Sequence, residues 1–192
     1  MHVAIDGNPF EPLPTPDGCW IFLTVARPAA GGQGKLVVLR RADGSVKVER
    51  TIPVEGNPTG AALSHDGKTL VIASGANVLF YDVAKLTSGK GNARIADITT
   101  GEAVGFIYAI FSPDDKFAFV PAERAFAIAV VSMEKVRAGK TGDAALVGKV
   151  PHGNAPVGVA LSNDGRTLYS TAQAQAPGWN WADACKAETA PE

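Results

Sequence analysis

Asn57-Pro58-Thr59-Gly60-Ala61-Ala62-Leu63-Ser64-His65-Asp66-Gly67-Lys68-Thr69-Leu70-Val71-Ile72-Ala73-Ser74 reads as two short apolar strands joined by an Asp-Gly turn. The second strand is rich in β-branched residues, and Asp-Gly supplies the backbone angles a tight hairpin needs. The same phrase recurs around Asp17-Gly18, Asp114-Asp115 and Asp164-Gly165. The steps between the leading aspartates are 66 − 17 = 49, 114 − 66 = 48 and 164 − 114 = 50. A period near 50 with four short strands per unit is the mark of a β-propeller array.

Working outward from the turns gives a map of strands. The first unit has strands over 10–15, 19–25, 35–40 and 46–54, with Gly31-Gly32-Gln33-Gly34 between its second and third. The second unit repeats the opening pair and adds strands over 78–82 and 94–99. The third enters loosely through Gly105-Phe106-Ile107-Tyr108, then continues with strands over 117–121, 126–131 and 145–150. The fourth opens at His152-Gly153-Asn154-Ala155-Pro156, shows strands over 157–162 and 167–172, and stops. Residues 84–90 and 134–140 align at a step of 50 and read as matching hairpin connections, a sign of duplication. His2 to Ile5 hold the place that Thr51 to Val54 hold before the next Gly-Asn-Pro, so they read as the outer strand of a blade whose other strands lie elsewhere. The expected fold is therefore an all-β β-propeller with three complete four-stranded blades, at about 6–54, 55–100 and 101–151, plus a partial fourth at 152–172. An irregular polar tail, 173–192, follows. Because the last blade is cut mid-pattern, the reading is a piece of a six- to eight-bladed ring whose remaining blades would complete it.

Composition bounds the function. The 192 residues are 46% apolar and 19% charged, with 21 Gly and 13 Pro, as expected of one turn-rich β domain. Lys and Arg number 18 against 19 Asp and Glu, a net charge of −1 with no basic stripe, which argues against nucleic acid as a partner. Apolar runs fall far short of the ~18 residues of a membrane helix, and Met1-His2-Val3-Ala4-Ile5 has no signal-peptide pattern. Cys19 and Cys185 form neither a disulfide framework nor a CxxC metal site. Ala138-Gly139-Lys140-Thr141 imitates the end of a phosphate loop, but Glu134 stands where that motif requires Gly. No cofactor or metal is expected.

The runs Pro58 to Ser74, Phe111 to Val120 and Pro156 to Thr171 resemble the YVTN-type, YncE-like β-propeller family, which is similar in look to the lactonase-type seven-bladed propellers. The Tyr-Val pair of that family reads Val71-Ile72, Phe119-Val120 and Tyr169-Ser170 here. The resemblance implies a seven-bladed parent ring, a periplasmic or secreted setting, a first strand lining the central channel, and a ligand site on one face.

Strand alternation says which face. The loop entering each blade and the loop between its second and third strands emerge together, and the Asp-Gly turns emerge opposite. Candidate ligand-binding residues on the entering-loop face are Glu11, Arg27, Tyr108, Glu123, Arg124, His152 and Asn154. The repeated Gly-Asn-Pro also serves simply as a turn device, and His65 reads as a solvated turn residue on the far face. Trp179 and Trp181 would either stack on a sugar or cover the cut edge of a blade. No catalytic residue is assigned. The residues favour a non-catalytic binding or scaffold module. The alternative is a lactone hydrolase, which would need titratable groups gathered over the channel mouth.

Overall fold

The computed structural model describes residues 2–28, 31–99, 104–153 and 155–173. Three four-stranded antiparallel sheets follow one another, and each takes its strands in sequence order. The first comprises β1 (Asn8–Pro14), β2 (Trp20–Ala26), β3 (Gly34–Ala42) and β4 (Ser45–Val54). The second comprises β5 (Pro58–Leu63), β6 (Thr69–Ser74), β7 (Asn77–Asp82) and β8 (Arg94–Thr99). The third comprises β9 (Ile110–Phe111), β10 (Phe117–Ala122), β11 (Ala127–Ser132) and β12 (Leu146–Pro151), and a two-stranded sheet, β13 (Pro156–Leu161) with β14 (Leu168–Ala172), comes last. These are the blades of a β-propeller.

The turns hold because each is closed by the same side chains. The hydroxyls of Thr15, Ser64, Ser112 and Ser162 donate to Asp17, Asp66, Asp114 and Asp164 at 2.5 to 2.7 Å. The same carboxylates accept from the backbone N–H groups of Cys19, Lys68, Lys116 and Arg166. Each hairpin is thereby locked by its own sequence before any blade packs on another.

Period-two alternation then builds the core, since neighbouring strand residues face opposite sides of a sheet. Leu70 and Ile72 of β6 join Phe22, Leu36 and Val38 between the first and second sheets. Val71 and Ala73 point the other way, to Phe111, Val120 and Val131 of the third. Phe22, Leu36, Leu70 and Ile72 are each 1% exposed or less, and burying a side chain of this size stabilises by about 1.5–3 kcal/mol. The first strands of successive sheets adjoin, β1 against β5 and β5 against β9. Main-chain bonds stitch them together: Gly60 N–H and the Thr59 hydroxyl both donate to the Ile107 carbonyl at 2.9 Å.

One expectation is corrected, and two details are added. Residues 84–90 and 134–140 are not plain hairpin connections but carry short helices, α1 (Val83–Ser88) and α2 (Met133–Arg137). The Asp82 and Ser132 side chains cap them by accepting from Lys85 and Lys135 N–H, and Leu86 and Val136 bury the inner face. His2 to Ile5 pair with no strand among the described residues. Val3 and Ile5 instead pack on Leu23, Val25, Val37 and Leu39, on the outer face of the first sheet. The third sheet has only a two-residue first strand, because Phe106 exchanges both hydrogen bonds with Gly75 of the second sheet and bridges to Ala122. The tail at 174–192, with Trp179, Trp181 and Cys185, lies outside the described residues, and Cys19 is an exposed free thiol. No helix of the described residues is long and apolar enough to cross a membrane.

Candidate functional site

The first strand of three sheets breaks register at the same place. Pairing jumps between Pro9 and Pro12 in β1, between Pro58 and Ala61 in β5, and between Pro156 and Gly158 in β13. Prolines are tolerated there because these strands lie at a sheet edge and need no ladder N–H on that side. A bulge re-aims the side chains within it. Six residues before the turn aspartates stand Glu11, Gly60, Tyr108 and Gly158; Glu11 and Gly60 lie within the bulges, Tyr108 precedes the short β9, and Gly158 pairs with Thr171. Two titratable side chains thus alternate with two glycines at this position of successive units.

Gly60 is small for a reason. A Cβ there would fall 2.6 Å from Tyr108 Cα and 2.8 Å from its ring. Tyr108 therefore lies across the second blade's bulge, toward Glu11. Glu11 reaches the same place from the other side, where its Oε2 accepts the Ala61 N–H at 2.7 Å. Burial pushes the Glu11 carboxyl above the usual carboxylate range, and the Ala61 bond only partly offsets it. Burial also raises the Tyr108 phenol, and the Glu11 charge raises it further. A half-buried carboxyl and a half-buried phenol thus both border the second blade's bulge, Glu11 through the Ala61 N–H and Tyr108 against Gly60.

Behind Glu11 stands Thr24, 1% exposed, whose Oγ1 accepts the Glu11 N–H and donates to the Thr59 carbonyl. Phe10, in the same bulge, leaves an aromatic ring 59% exposed. Thr24, Thr59 and Phe10 escaped the sequence reading. The only signal for them was their nearness to a position where Glu and Tyr replace Gly.

The other candidates divide. Arg27 is exposed, and its N–H donates to Asn57 Oδ1 at 2.8 Å, so Asn57 of Gly-Asn-Pro ties two blades together. Glu123 and Arg124 occupy a 3-10 turn (Glu123–Ala125), with backbone N–H groups donating to the Gly105 and Val104 carbonyls. The Glu123 side chain lies against Gly105, on the loop that leads to Tyr108. His152 stands apart. It lines a groove of about 450 Å³ with Phe119, Ile128, Leu161 and Leu168, between the third sheet and the last hairpin. Asn154 lies outside the described residues.

With this geometry in place, similarity to known proteins bears on the chain. No protein-family profile matches it, and no curated protein sequence does. Solved structures do match. A periplasmic gluconolactonase of Pseudomonas aeruginosa aligns over 88% of this chain and 52% of its own, at 23% identity and a TM-score of 0.70. A protein named as a 6-phosphogluconolactonase from Bacteroides uniformis aligns over 86% of this chain and 47% of its own, at 19% identity and a TM-score of 0.67. Hydrazine synthase of Kuenenia stuttgartiensis gives 83% and 54%, at 16% identity and 0.63. The chain therefore spans about half the length of these structures. At such identities the likeness is one of fold, and it carries the lactonase-type half of the resemblance noted in the sequence.

Proposed function

We propose that the entering-loop face, centred on Glu11 and Tyr108, binds a sugar lactone and takes part in its hydrolysis. Two of the similar structures carry lactonase names, which supports this reading over the non-catalytic module favoured by the sequence. The observation that carries it is the placing of two titratable groups at one bulge, Glu11 bonded to the Ala61 N–H and Tyr108 packed on Gly60.

The chemistry needs one proton moved and one oxygen stabilised. The free oxygen of Glu11 accepts a proton from water as that water attacks the lactone carbonyl carbon. The Tyr108 O–H donates to the carbonyl oxygen as it becomes an alkoxide. Collapse of the tetrahedral intermediate breaks the ring C–O bond, and the proton on Glu11 passes to the departing ring oxygen. Water is consumed and a hydroxy acid released. A carboxyl raised above its ordinary range is a stronger base once ionised, and a phenol raised above its own stays a donor to higher pH. Phe10 offers a ring face for the sugar, and Glu123 and Arg124 border the loop that carries Tyr108. An extracytoplasmic location belongs to the same proposal, since the gluconolactonase neighbour is named as periplasmic.

The test is hydrolysis of gluconolactone, followed against its spontaneous rate, by the full-length protein and its Glu11→Gln and Tyr108→Phe variants. Loss of about 100-fold or more in Glu11→Gln is expected, the scale of a positioned general base. Turnover that survives both substitutions would contradict the assignment. Binding without turnover in the unsubstituted protein would return the chain to the scaffold reading.

A further inference from the structure

A second pocket opens on the opposite side of the molecule, and the lactone chemistry makes no use of it. It lies where β4 of the first blade meets α1 and β8 of the second, on the face of the Asp-Gly turns, with a volume of about 430 Å³. Three cations line it: Arg50, Lys85 and Arg94. Among the described residues no carboxylate lines it, and Glu55 is paired with Arg94, whose Nη2 donates to Glu55 Oε2 at 2.6 Å. Asp66 and Asp82 lie in the adjoining opening that Lys85 and Arg94 also border, where Lys68 and Arg137 accompany them, so the lining of this pocket itself is cationic.

Two of the cations, Arg94 and Arg50, are held in place. Arg94 lies 4.9 Å over the Tyr81 ring, donates to the Tyr81 hydroxyl at 3.0 Å, and keeps a buried Nε with no hydrogen-bond partner. Arg50 donates from Nη1 to the Leu86 carbonyl at 2.9 Å, which leaves its other N–H groups for a ligand. Gly89 permits this approach, because a Cβ there would overlap the Arg50 guanidinium. Ile52, Leu86 and Ala93 supply apolar wall beneath the charges.

The corresponding connector of the third blade is built differently, and the opening at its junction with the second blade is lined by acids as well as cations, Asp66 and Asp82 beside Lys68 and Arg137. Between the second and third blades the connector 138–145 contains a 3-10 turn (Gly142–Ala145), and Ala145 is fully buried against Ala96, Val136 and Met133. The corresponding connector, 89–93, is shorter and has no such turn. The space beside the connector that Ala145 fills in the third blade is left open in the second, where Arg50, Lys85 and Arg94 line it.

We infer that this pocket, roofed by Arg50 and Lys85 and floored by Arg94 on Tyr81, binds the carboxylate or phosphate of a small organic anion between two blades. The fixed guanidinium groups provide paired donors of the kind that carboxylate and phosphate oxygens accept. The apolar wall favours an anion borne on a sugar-sized body over the bare ion.

Isothermal titration and amide chemical shifts of the full chain would test it, with glucose 6-phosphate, gluconate, inorganic phosphate and neutral glucose as probes. Saturable binding of at least one sugar anion, with shifts at Gly89, Gly91 and Asn92, is expected, and which of the two binds identifies phosphate or carboxylate. Lys85→Glu, an exposed change, should weaken that binding about tenfold or more, as for the loss of one charge-assisted hydrogen bond. Arg50→Met should weaken it likewise, with thermal melting to confirm the fold. Binding equal for glucose, binding indifferent to Lys85→Glu, or no binding by millimolar concentrations would overturn the inference. Because Glu11 and Tyr108 lie on the opposite face, their substitution should leave these titrations unchanged.

Discussion

The Asp115 carboxylate of the third blade holds His65 of the second, accepting its backbone N–H at 2.9 Å and lying 2.8 Å from its Nδ1. Its other oxygen accepts the Asp66 N–H at 3.0 Å. Asp115 occupies the turn position where the other units have Gly18, Gly67 and Gly165, and it keeps their left-handed backbone with φ +53°. At the two other junctions the partner is a proline: a Cβ on Gly67 would press on the Pro16 ring, and one on Gly165 on Pro113. Proline has no N–H to offer and glycine no side chain to accept it. Where His65 restores the N–H, Asp115 supplies the acceptor.

Asp115→Ala should therefore destabilise by about 2–3 kcal/mol, since it strands a charge-assisted contact and keeps a strained backbone. Asp115→Gly should cost less, because glycine accepts that φ freely. The His65→Pro, Asp115→Gly double variant copies the other junctions and should recover part of the loss, a coupling that urea melts of all variants would measure. Equal stability for all of them would show that the clasp contributes nothing.

Acid should act first on the turns. The Ser112 hydroxyl, then Lys116, holds the exposed Asp114 carboxyl at about 2, against about 3.9 in an unfolded chain. Thr15 and Ser162 likewise lower Asp17 and Asp164. A depressed carboxyl stabilises the fold above its unfolded value and loses that contribution as pH falls through the folded one. Stability should drop between about pH 4 and pH 2, and Asp114→Asn should flatten that limb in acid-unfolding curves. An unaltered acid limb in this variant would assign the drop to other groups.

Glu11 should show the opposite sign. Its raised carboxyl favours the fold at low pH and loses that contribution as pH rises through the folded value. Glu11→Gln should thus leave stability at neutral pH equal or higher, since the amide oxygen can still accept the Ala61 N–H. Chemical denaturation at pH 5 and pH 8 would check this, and a marked loss at pH 8 would give Glu11 a structural role instead.

Gly60→Ala should cost about 3 kcal/mol, because the new methyl meets the Ile107 carbonyl oxygen and Tyr108 Cα, backbone atoms with little room to yield. Tyr108 would be driven from the bulge. Thermal melting together with lactone turnover would report both effects, and an unchanged melting temperature would contradict this packing.

Much of the fold was legible in the sequence because each hairpin is closed locally. A hydroxyl two residues before the Asp, and an N–H two after it, write the turn into adjacent residues. The helices α1 and α2 were hidden, since their helical character rests on Asp82 and Ser132 caps and on burial of Leu86 and Val136, which only packing reveals. Asp115 was visible as a departure from Asp-Gly, but its partner lies 50 residues away. Glu11 and Tyr108 could be named singly on loops. Their convergence depends on bulges and on a glycine between them, which strand periodicity does not record. His152 was named from its entering loop, but it faces a groove between sheets.

Amide chemical shifts of the full chain, recorded as a non-hydrolysable lactam analogue of gluconolactone is added, address the placement of ligand directly. Saturating shifts confined to Glu11, Gly60, Ala61 and Tyr108, with the turns at Asp17, Asp66 and Asp164 silent, are the predicted result. Shifts clustered on those turns, or none at all, would contradict a lactone site on the inner strands.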